Sequence, residues 1–210
     1  MDQKERLIIE QAQKLYQRYG IKSVTMDDVA SRLGISKKTL YEHFRDKEDL
    51  VRQILLREQD SRYGFISSVE HKNLNAIEEL FELYKIIHTF LKEYNPAMEY
   101  DIHKYYPDLF MEIKYIRRKH FFESVHDNIL KGKKEGFYRK ELNAKIIAKL
   151  HVHSTESILT NDLFTQEELI SFKILNEGFV YHIQGILSEK GRQFFKKFSE
   201  RLNLSRISIV

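Results

Sequence analysis

The sequence feature that most constrains the fold is the stretch 25–47, TMDDVASRLGISKKTLYEHFRDK. Thr25, followed three residues later by Asp28, has the spacing of a capping box, in which each side chain binds the backbone N–H of the other residue. We therefore expect a helix to begin at about Met26. Gly34 is expected to end that helix, because glycine adopts the left-handed C-cap conformation without a Cβ clash.

A second helix is expected after a turn of only three residues. Ser36 is its predicted N-cap, and Leu40 and Phe44 lie one turn apart, so they can pack against the first helix. The side chains left facing outward are Lys37, Lys38, Thr39, Tyr41 and His43. These residue types suit contacts with phosphates and base edges in the major groove of DNA. The pattern favours a DNA-binding helix-turn-helix over the alternative, a solvated helical hairpin of a larger bundle.

A longer signature overlaps these two helices. Residues 39–50 read TLYEHFRDKEDL and residues 25–30 read TMDDVA. They resemble the T-hyd-Y-x-H-F-x-x-K-x-x-L signature and the T-hyd-x-x-hyd-A opening of the TetR family of bacterial transcriptional regulators, where hyd is an apolar residue. The resemblance extends from about Leu7 to Leu55. It implies an all-α fold: a three-helix helix-turn-helix DNA-binding domain, here 1–47, followed by a helical-bundle regulatory, ligand-binding and dimerisation domain, here 48–210.

The resemblance also implies which residues contact DNA. Thr25 and Tyr41 would touch backbone phosphates, and Lys47 would add a phosphate contact. The predicted DNA-binding set is Thr25, Ser36, Lys37, Lys38, Thr39, Tyr41, His43 and Lys47. Glu42 and Asp46 place acid beside this surface, where a carboxylate could select a cytosine amino group or repel phosphate, so the operator sequence stays open.

Composition excludes several other classes of protein. The chain has 210 residues, a net charge of +4 and no cysteine, which removes disulfides, thiolate catalysis and cysteine zinc sites. It lacks an apolar run of membrane-spanning length, and its charged first helix lacks the apolar core of a signal peptide. We therefore expect a cytoplasmic protein. With only two prolines, the chain is free to be helical nearly throughout.

Helical periodicity continues along the whole chain. The first helix is expected over 3–19, and Asp46 is the expected N-cap of a helix that links the DNA-binding domain to the rest. Further helices are predicted at about residues 75–94, 96–106, 107–131, 144–159, 166–187 and 189–202. Gly132 and Gly136 are expected to bracket a polar break.

The last two long helices are the predicted dimer interface. The family resemblance implies that two such pairs form a four-helix bundle, and a two-fold dimer reads two half-sites of one operator. The predicted interface residues are Leu150, Ile158, Phe172, Phe179, Ile183 and Ile186. Any one of these side chains could equally belong to the core of a single chain.

The middle helices are rich in aromatic side chains that carry polar groups. Such stripes are usually core, yet together they have the composition of a pocket for a small apolar effector. The predicted pocket residues are Tyr84, His88, Met98, Tyr100, His103, Tyr106, Phe110 and Phe121.

The histidines do not form a catalytic or metal-binding pattern. His151 and His153 point to different sides of a helix, and Glu123 with His126 lacks the second Glu-x-x-His copy that a di-iron bundle needs. Phosphate loops and nucleophile elbows are also missing, so we expect no enzyme activity, no metal and no cofactor.

The predicted function is a ligand-responsive repressor that binds a palindromic operator as a homodimer. Two alternatives stay open: a regulator without a small-molecule ligand, and a helical adaptor whose basic, phenylalanine-rich C-terminal helix contacts a membrane or protein.

Overall fold

The computed structural model describes residues 2–70, 72–92, 95–160, 163–165, 168 and 173–201, which are almost entirely helical. Over these residues the helices are α1 (Gln3–Tyr19), α2 (Met26–Leu33), α3 (Lys37–His43), α4 (Lys47–Glu70), α5 (Ala76–Lys92), α6 (Pro96–Tyr105), α7 (Pro107–Glu135), α8 (Ala144–Thr160), α9 (Lys173–Ile186) and α10 (Glu189–Arg201). An isolated antiparallel bridge joins Tyr138 to Leu187. The expected all-α fold is confirmed. Within the described ranges, none of the helices combines the length and the apolar character needed to cross a membrane.

The chain divides into two compact units. The N-terminal unit comprises Met1–Gly64 and Glu93–Arg117, and the C-terminal unit comprises Phe65–Lys92 and Arg118–Val210. The N-terminal unit is therefore larger than the helix-turn-helix segment 1–47, since it includes α6 and the first part of α7.

The core of the N-terminal unit explains why its short helices hold their positions. α1 contributes Ile8, Ala12 and Tyr16, which are at most 1% exposed. Leu40 of α3 and Leu50 of α4 are fully buried in the same cluster. Burial of these side chains supplies the stability that helices of seven or eight residues lack in isolation.

The C-terminal unit has an aromatic core between α5, α9 and α10. Phe179 of α9 lies 4.4 Å from Tyr84 and 6.2 Å from Phe81 of α5, measured between ring centroids. From α10, Phe195 and Phe198 are only 2% and 7% exposed. Two of the three phenylalanines of this basic helix are therefore packed in the protein interior, and Phe194 is half-buried against the same core, which disfavours the adaptor alternative with a membrane-facing C-terminal helix.

A buried polar cluster fixes the start of α5 against α7. The Asn128 amide donates to the carbonyl of Ala76 at 2.9 Å and to Glu79 Oε1 at 2.8 Å. The Tyr138 hydroxyl donates to the same Ala76 carbonyl at 3.0 Å, and its burial raises the pKa of the phenol well above the usual value. The Lys131 ammonium pairs with Glu79. Each buried polar group in this cluster thus has a partner.

The predicted break at Gly132 is wrong. α7 continues through Gly132 to Glu135, and Gly136, at a φ of +79°, follows it. Gly132 is needed for packing, because a Cβ there would lie 2.0 Å from the ring of Tyr138. A glycine inside a helix and a glycine that ends one look alike in sequence, so the pattern could not separate the two roles.

Candidate nucleic-acid interface

The capping box at the start of α2 is present. The Thr25 hydroxyl accepts the N–H of Asp28 at 3.1 Å and donates to Asp28 Oδ2 at 2.6 Å, and that oxygen also accepts the N–H of Thr25 at 2.7 Å. These bonds lower the pKa of Asp28, and the bond from the Thr25 side chain has the largest effect. Gly34 adopts the left-handed conformation with φ 65° and ends α2 as predicted.

α3 is capped and seated as its sequence indicates. Ser36 Oγ accepts the N–H of Thr39 at 3.0 Å, and the two hydroxyls lie 2.9 Å apart. Leu40 is fully buried and Phe44 is 3% exposed. This leaves an exposed row on the opposite side of the helix, formed by Lys37, Lys38, Tyr41 and Glu42. We call these four residues the α3 exposed row.

One lysine of the α3 exposed row is held by the preceding helix. Lys37 Nζ lies 2.8 Å from Asp27 Oδ1 of α2, and this bond raises the pKa of the lysine. Tyr41 is 43% exposed. Lys38, Tyr41 and Glu42 are thus the members of the row whose side chains have no described side-chain bond to the protein, and Lys38 and Tyr41 are the two that can donate to DNA.

His43 does not face outward, which corrects the prediction. Its side chain is only 16% exposed, and Nδ1 lies 3.7 Å from Glu5 Oε1 and 3.9 Å from Asp2 Oδ2 at the start of α1. These three residues each offer one metal-ligand atom within 4.8 Å of the others. The other oxygens of Asp2 and Glu5 form the capping box of α1. The sequence pattern of α3 alone could not reveal that α1 covers this position.

Lys47 is held within the N-terminal unit. Its Nζ donates to the carbonyl of Lys22 at 3.3 Å and lies 6.0 Å from the ring centroid of Tyr16. Burial lowers the pKa of Lys47, an effect that the nearby carboxylates of Asp101 and Asp28 oppose. The contact of Lys47 with a DNA phosphate stays a prediction.

Sequence reasoning missed Asp101 of α6. Its Oδ2 accepts the N–H of Lys22 at 3.1 Å, so the backbone of Lys22 is bonded through its N–H to α6 and through its carbonyl to α4. We call this arrangement the Lys22 clamp. It lies in the loop that leads to the Thr25 cap, and it connects residues too distant in sequence for a local pattern to reveal.

The predicted pocket residues do not line a single cavity. Tyr84 and Phe121 line a cavity in the C-terminal unit, whereas Met98 and Phe110 line a separate cavity in the N-terminal unit. Tyr100 is 59% exposed. The remaining predicted residues are the half-buried His88 in the C-terminal unit, and the half-buried Tyr106 and exposed His103 in the N-terminal unit. Helical periodicity identified apolar faces but not which other helices cover them.

The predicted dimer residues do not share one location in the structure. Phe179, Ile183 and Ile186 are at most 5% exposed within the C-terminal unit, so they belong to the core of one chain. Ile158 lines the cavity of that unit, and Phe172 lies outside the described residues. Leu150 of α8 is 56% exposed. Two other large hydrophobic residues of α8 and α9 are also exposed, namely Ile146 of α8 at 54% and Tyr181 of α9 at 85%.

Comparison with known proteins identifies the N-terminal helices. Residues 8–54 match the model of bacterial regulatory proteins, tetR family. An HTH-type transcriptional regulator of Staphylococcus aureus (strain MRSA252) is 30% identical over 120 residues, which cover 49% of this chain and 65% of that relative. This chain thus spans just under two thirds of the length of that curated relative.

Solved structures match most of the fold. A TetR/AcrR-family transcriptional regulator from Thermobifida fusca has a TM-score of 0.65 and 17% identity, covering 88% of this chain and 98% of its own. A regulator from Saccharomonospora viridis, solved in complex with choline, has a TM-score of 0.62 and 20% identity, covering 90% of this chain and 100% of its own. The helix-turn-helix geometry and the match at residues 8–54 show that the N-terminal helices are similar to the helix-turn-helix segment of the tetR family, and the solved structures show that the fold of the chain is shared.

Proposed function

We propose that the protein is a ligand-responsive repressor that binds a palindromic DNA operator as a homodimer. The observation that carries the proposal is the α3 exposed row, which lies on a capped helix whose opposite side is fixed by Leu40 and Phe44. α3 enters the major groove, where Lys38 and Tyr41 contact base edges and phosphates. The N-terminus of α2 at Thr25 faces the phosphate backbone, since free N–H groups and the helix dipole favour an anion there.

Exposed apolar residues of α8 and α9 support a homodimer. Ile146 and Leu150 lie four residues apart on α8, and Tyr181 lies on α9, which packs against α8. An exposed apolar patch is typical of a protein interface. In the proposed dimer a second copy of the chain covers this patch. The two-fold pairing then provides two recognition helices for the two halves of a palindrome.

The cavity of the C-terminal unit supports a response to a small molecule. Residues of α4, α5, α7, α8 and α9 line it, and most of them are apolar. The regulator from Saccharomonospora viridis was solved with choline, so a protein of this fold binds a small molecule. An effector in the cavity shifts the helices that line it and lowers the affinity for the operator.

DNA binding is tested with duplexes selected from random sequence, with affinity measured by fluorescence anisotropy at several salt concentrations. Tyr41→Ala is expected to weaken binding to all duplexes about equally, whereas Lys38→Ala is expected also to relax the preference for one base, by about 1–3 kcal/mol. Lys196→Ala removes an exposed charge from α10 and serves as the control. If both α3 variants bind like the unmodified protein, α3 is not the recognition helix.

A further inference from the structure

The cavity of the C-terminal unit has a lining without permanent charge. The empty space between its lining residues, open solvent included, is about 680 Å³. Leu80, Leu83, Phe121, Leu175 and Phe179 supply much of the wall, and no Asp, Glu, Lys or Arg is among the described lining residues. A charged ligand would therefore lose its hydration without gaining a fixed counter-charge.

The hydroxyl groups of the lining already donate their hydrogen bonds within the protein. The bonds run from Ser124 to the carbonyl of His120 at 3.0 Å, from Ser154 to that of Leu150 at 2.8 Å, from Thr155 to that of His151 at 2.9 Å, and from Tyr84 to Asn176 Oδ1. These four groups can still accept hydrogen bonds but are poorly placed to donate to a ligand.

The imidazole of His151 is the remaining polar group of the lining. Its ring lies against that of His182, with centroids 3.8 Å apart and planes inclined by 31°. The two rings pack in this tilted arrangement without a described hydrogen bond between them. Among the described residues, buried His182 Nε2 has no hydrogen-bond partner, and none is found for the imidazole of His151.

Both imidazoles are uncharged at neutral pH. Burial lowers the pKa of His151 to about 4. The pKa of His182 is lowered to about 2, mainly by burial and to a smaller extent by the neighbouring His151. A neutral imidazole has one nitrogen that donates and one that accepts, so it can bind a hydroxyl or a carbonyl group. His151 lines the cavity, and no described hydrogen bond involves its imidazole, so a ligand hydroxyl or carbonyl group can supply one.

We infer that this cavity takes an uncharged, mainly apolar molecule whose single hydroxyl or carbonyl group hydrogen-bonds to His151, with His182 stacked behind to hold the ring in place. The inference rests on the proposed function, since this molecule is the effector that releases the protein from DNA. It excludes organic acids and quaternary amines from the cavity, although choline occurs in the related structure.

A set of naphthalene derivatives tests the polarity of the site. 2-Naphthol, naphthalene and 2-naphthoate share one ring system and differ in hydrogen bonding and charge. At neutral pH, 2-naphthol is expected to bind about five- to tenfold more tightly than naphthalene, the gain typical of one hydrogen bond, and 2-naphthoate most weakly. Binding is measured by calorimetry on the full chain. Absence of 2-naphthol binding, or tighter binding of 2-naphthoate, would overturn the inference.

Replacement of His151 tests the named contact. His151→Phe keeps a ring of similar shape and removes the hydrogen bond, so 2-naphthol should bind no better than naphthalene, while naphthalene binding is unchanged. The matched control is His153→Phe, at an exposed position two residues along α8. Retention of the full preference for 2-naphthol in His151→Phe would contradict the proposal. Independently of any variant, the imidazole NMR signals of His151 in the unmodified protein should move on addition of 2-naphthol, and those of His153 should not.

DNA binding is measured in parallel, so that the two proposals fail separately. If 2-naphthol binds at His151 without changing DNA affinity, the site stands and the regulatory part of the proposed function is wrong. If the protein binds its operator but no 2-naphthol, the inference about the ligand is wrong and the DNA-binding function stands.

Discussion

Individual residues in this protein act mainly through short, local bonds or through burial. Thr25 and Asp28 are three positions apart and bond to each other as the sequence indicates. His43 and Lys47 instead depend on partners in α1 and in the loop before α2. A residue whose partner lies within one helical turn can be assigned from sequence, whereas a residue with a distant partner cannot.

Acidification is expected to destabilise the C-terminal unit through His151 and His182. Their pKa values are lowered from 6.5 in the folded state, to about 4 and about 2. The unfolded chain therefore binds more protons below pH 6.5, and stability is lost as the pH falls from 6.5 toward 4. When the pH is lowered from 7.5 to 5.5, the free energy of unfolding should fall by about 2–3 kcal/mol through these two residues together. Urea unfolding at the two pH values measures this loss.

His151→Phe should remove about half of that pH-dependent loss, because one of the two imidazoles with a lowered pKa is gone. His153→Phe, at the exposed position, should leave the loss unchanged. An equal loss in the unmodified protein and in His151→Phe would show that His151 is not held neutral in the folded state.

At the scale of elements, glycines mark places where helices and loops approach closely. A Cβ at Gly191 in α10 would lie 2.0 Å from the carbonyl oxygen of Phe137, in the segment after α7. The same carbonyl oxygen of Phe137 accepts a hydrogen bond from the N–H of Ser188 at 2.9 Å. The start of α10 is thus packed directly on backbone, and backbone cannot move aside as a flexible side chain can.

Gly191→Ala is expected to destabilise the protein by roughly 2–4 kcal/mol, because the added methyl group overlaps a fixed carbonyl. Gly185→Ala in α9 is the matched control, since nothing lies within 4 Å of a Cβ there. Alanine at that position should be neutral or stabilising by up to about 1 kcal/mol through its higher helix propensity. Thermal and urea unfolding measure both, and equal stability of the two variants would contradict the described packing.

At the scale of the whole molecule, the sequence predicted the helices better than their grouping. The all-α fold and the helix-turn-helix followed from caps and periodicity, which are local. The single aromatic pocket did not, because Tyr84 and Met98 belong to different units. The dimer residues Phe179 and Ile183 form intrachain core because an apolar stripe has the same appearance whether its own chain or a second copy covers it.

The proposed homodimer is tested at Leu150. Leu150→Glu places a charge in the apolar patch of α8 and α9 and should convert a dimer, at twice the chain mass of 25.2 kDa, into a monomer with weakened operator binding. Leu130→Glu is the control, because Leu130 is also exposed, at 46%, but lies on α7. Light scattering coupled to gel filtration gives the masses. A monomeric unmodified protein, or a dimeric Leu150→Glu, would exclude this interface.

The Lys22 clamp determines where the protein can be cut for the construction of chimaeras. The bond from Lys22 to Asp101 joins the loop before α2 to α6. A fusion that transplants residues 1–47 onto a foreign regulatory module would leave that amide donor without its carboxylate, and Lys47 would keep Asp28 but lose Asp101 as a neighbouring negative charge. A transplant with matched α6 and early α7 retains both, so hybrid regulators derived from this protein should exchange the two chain segments together.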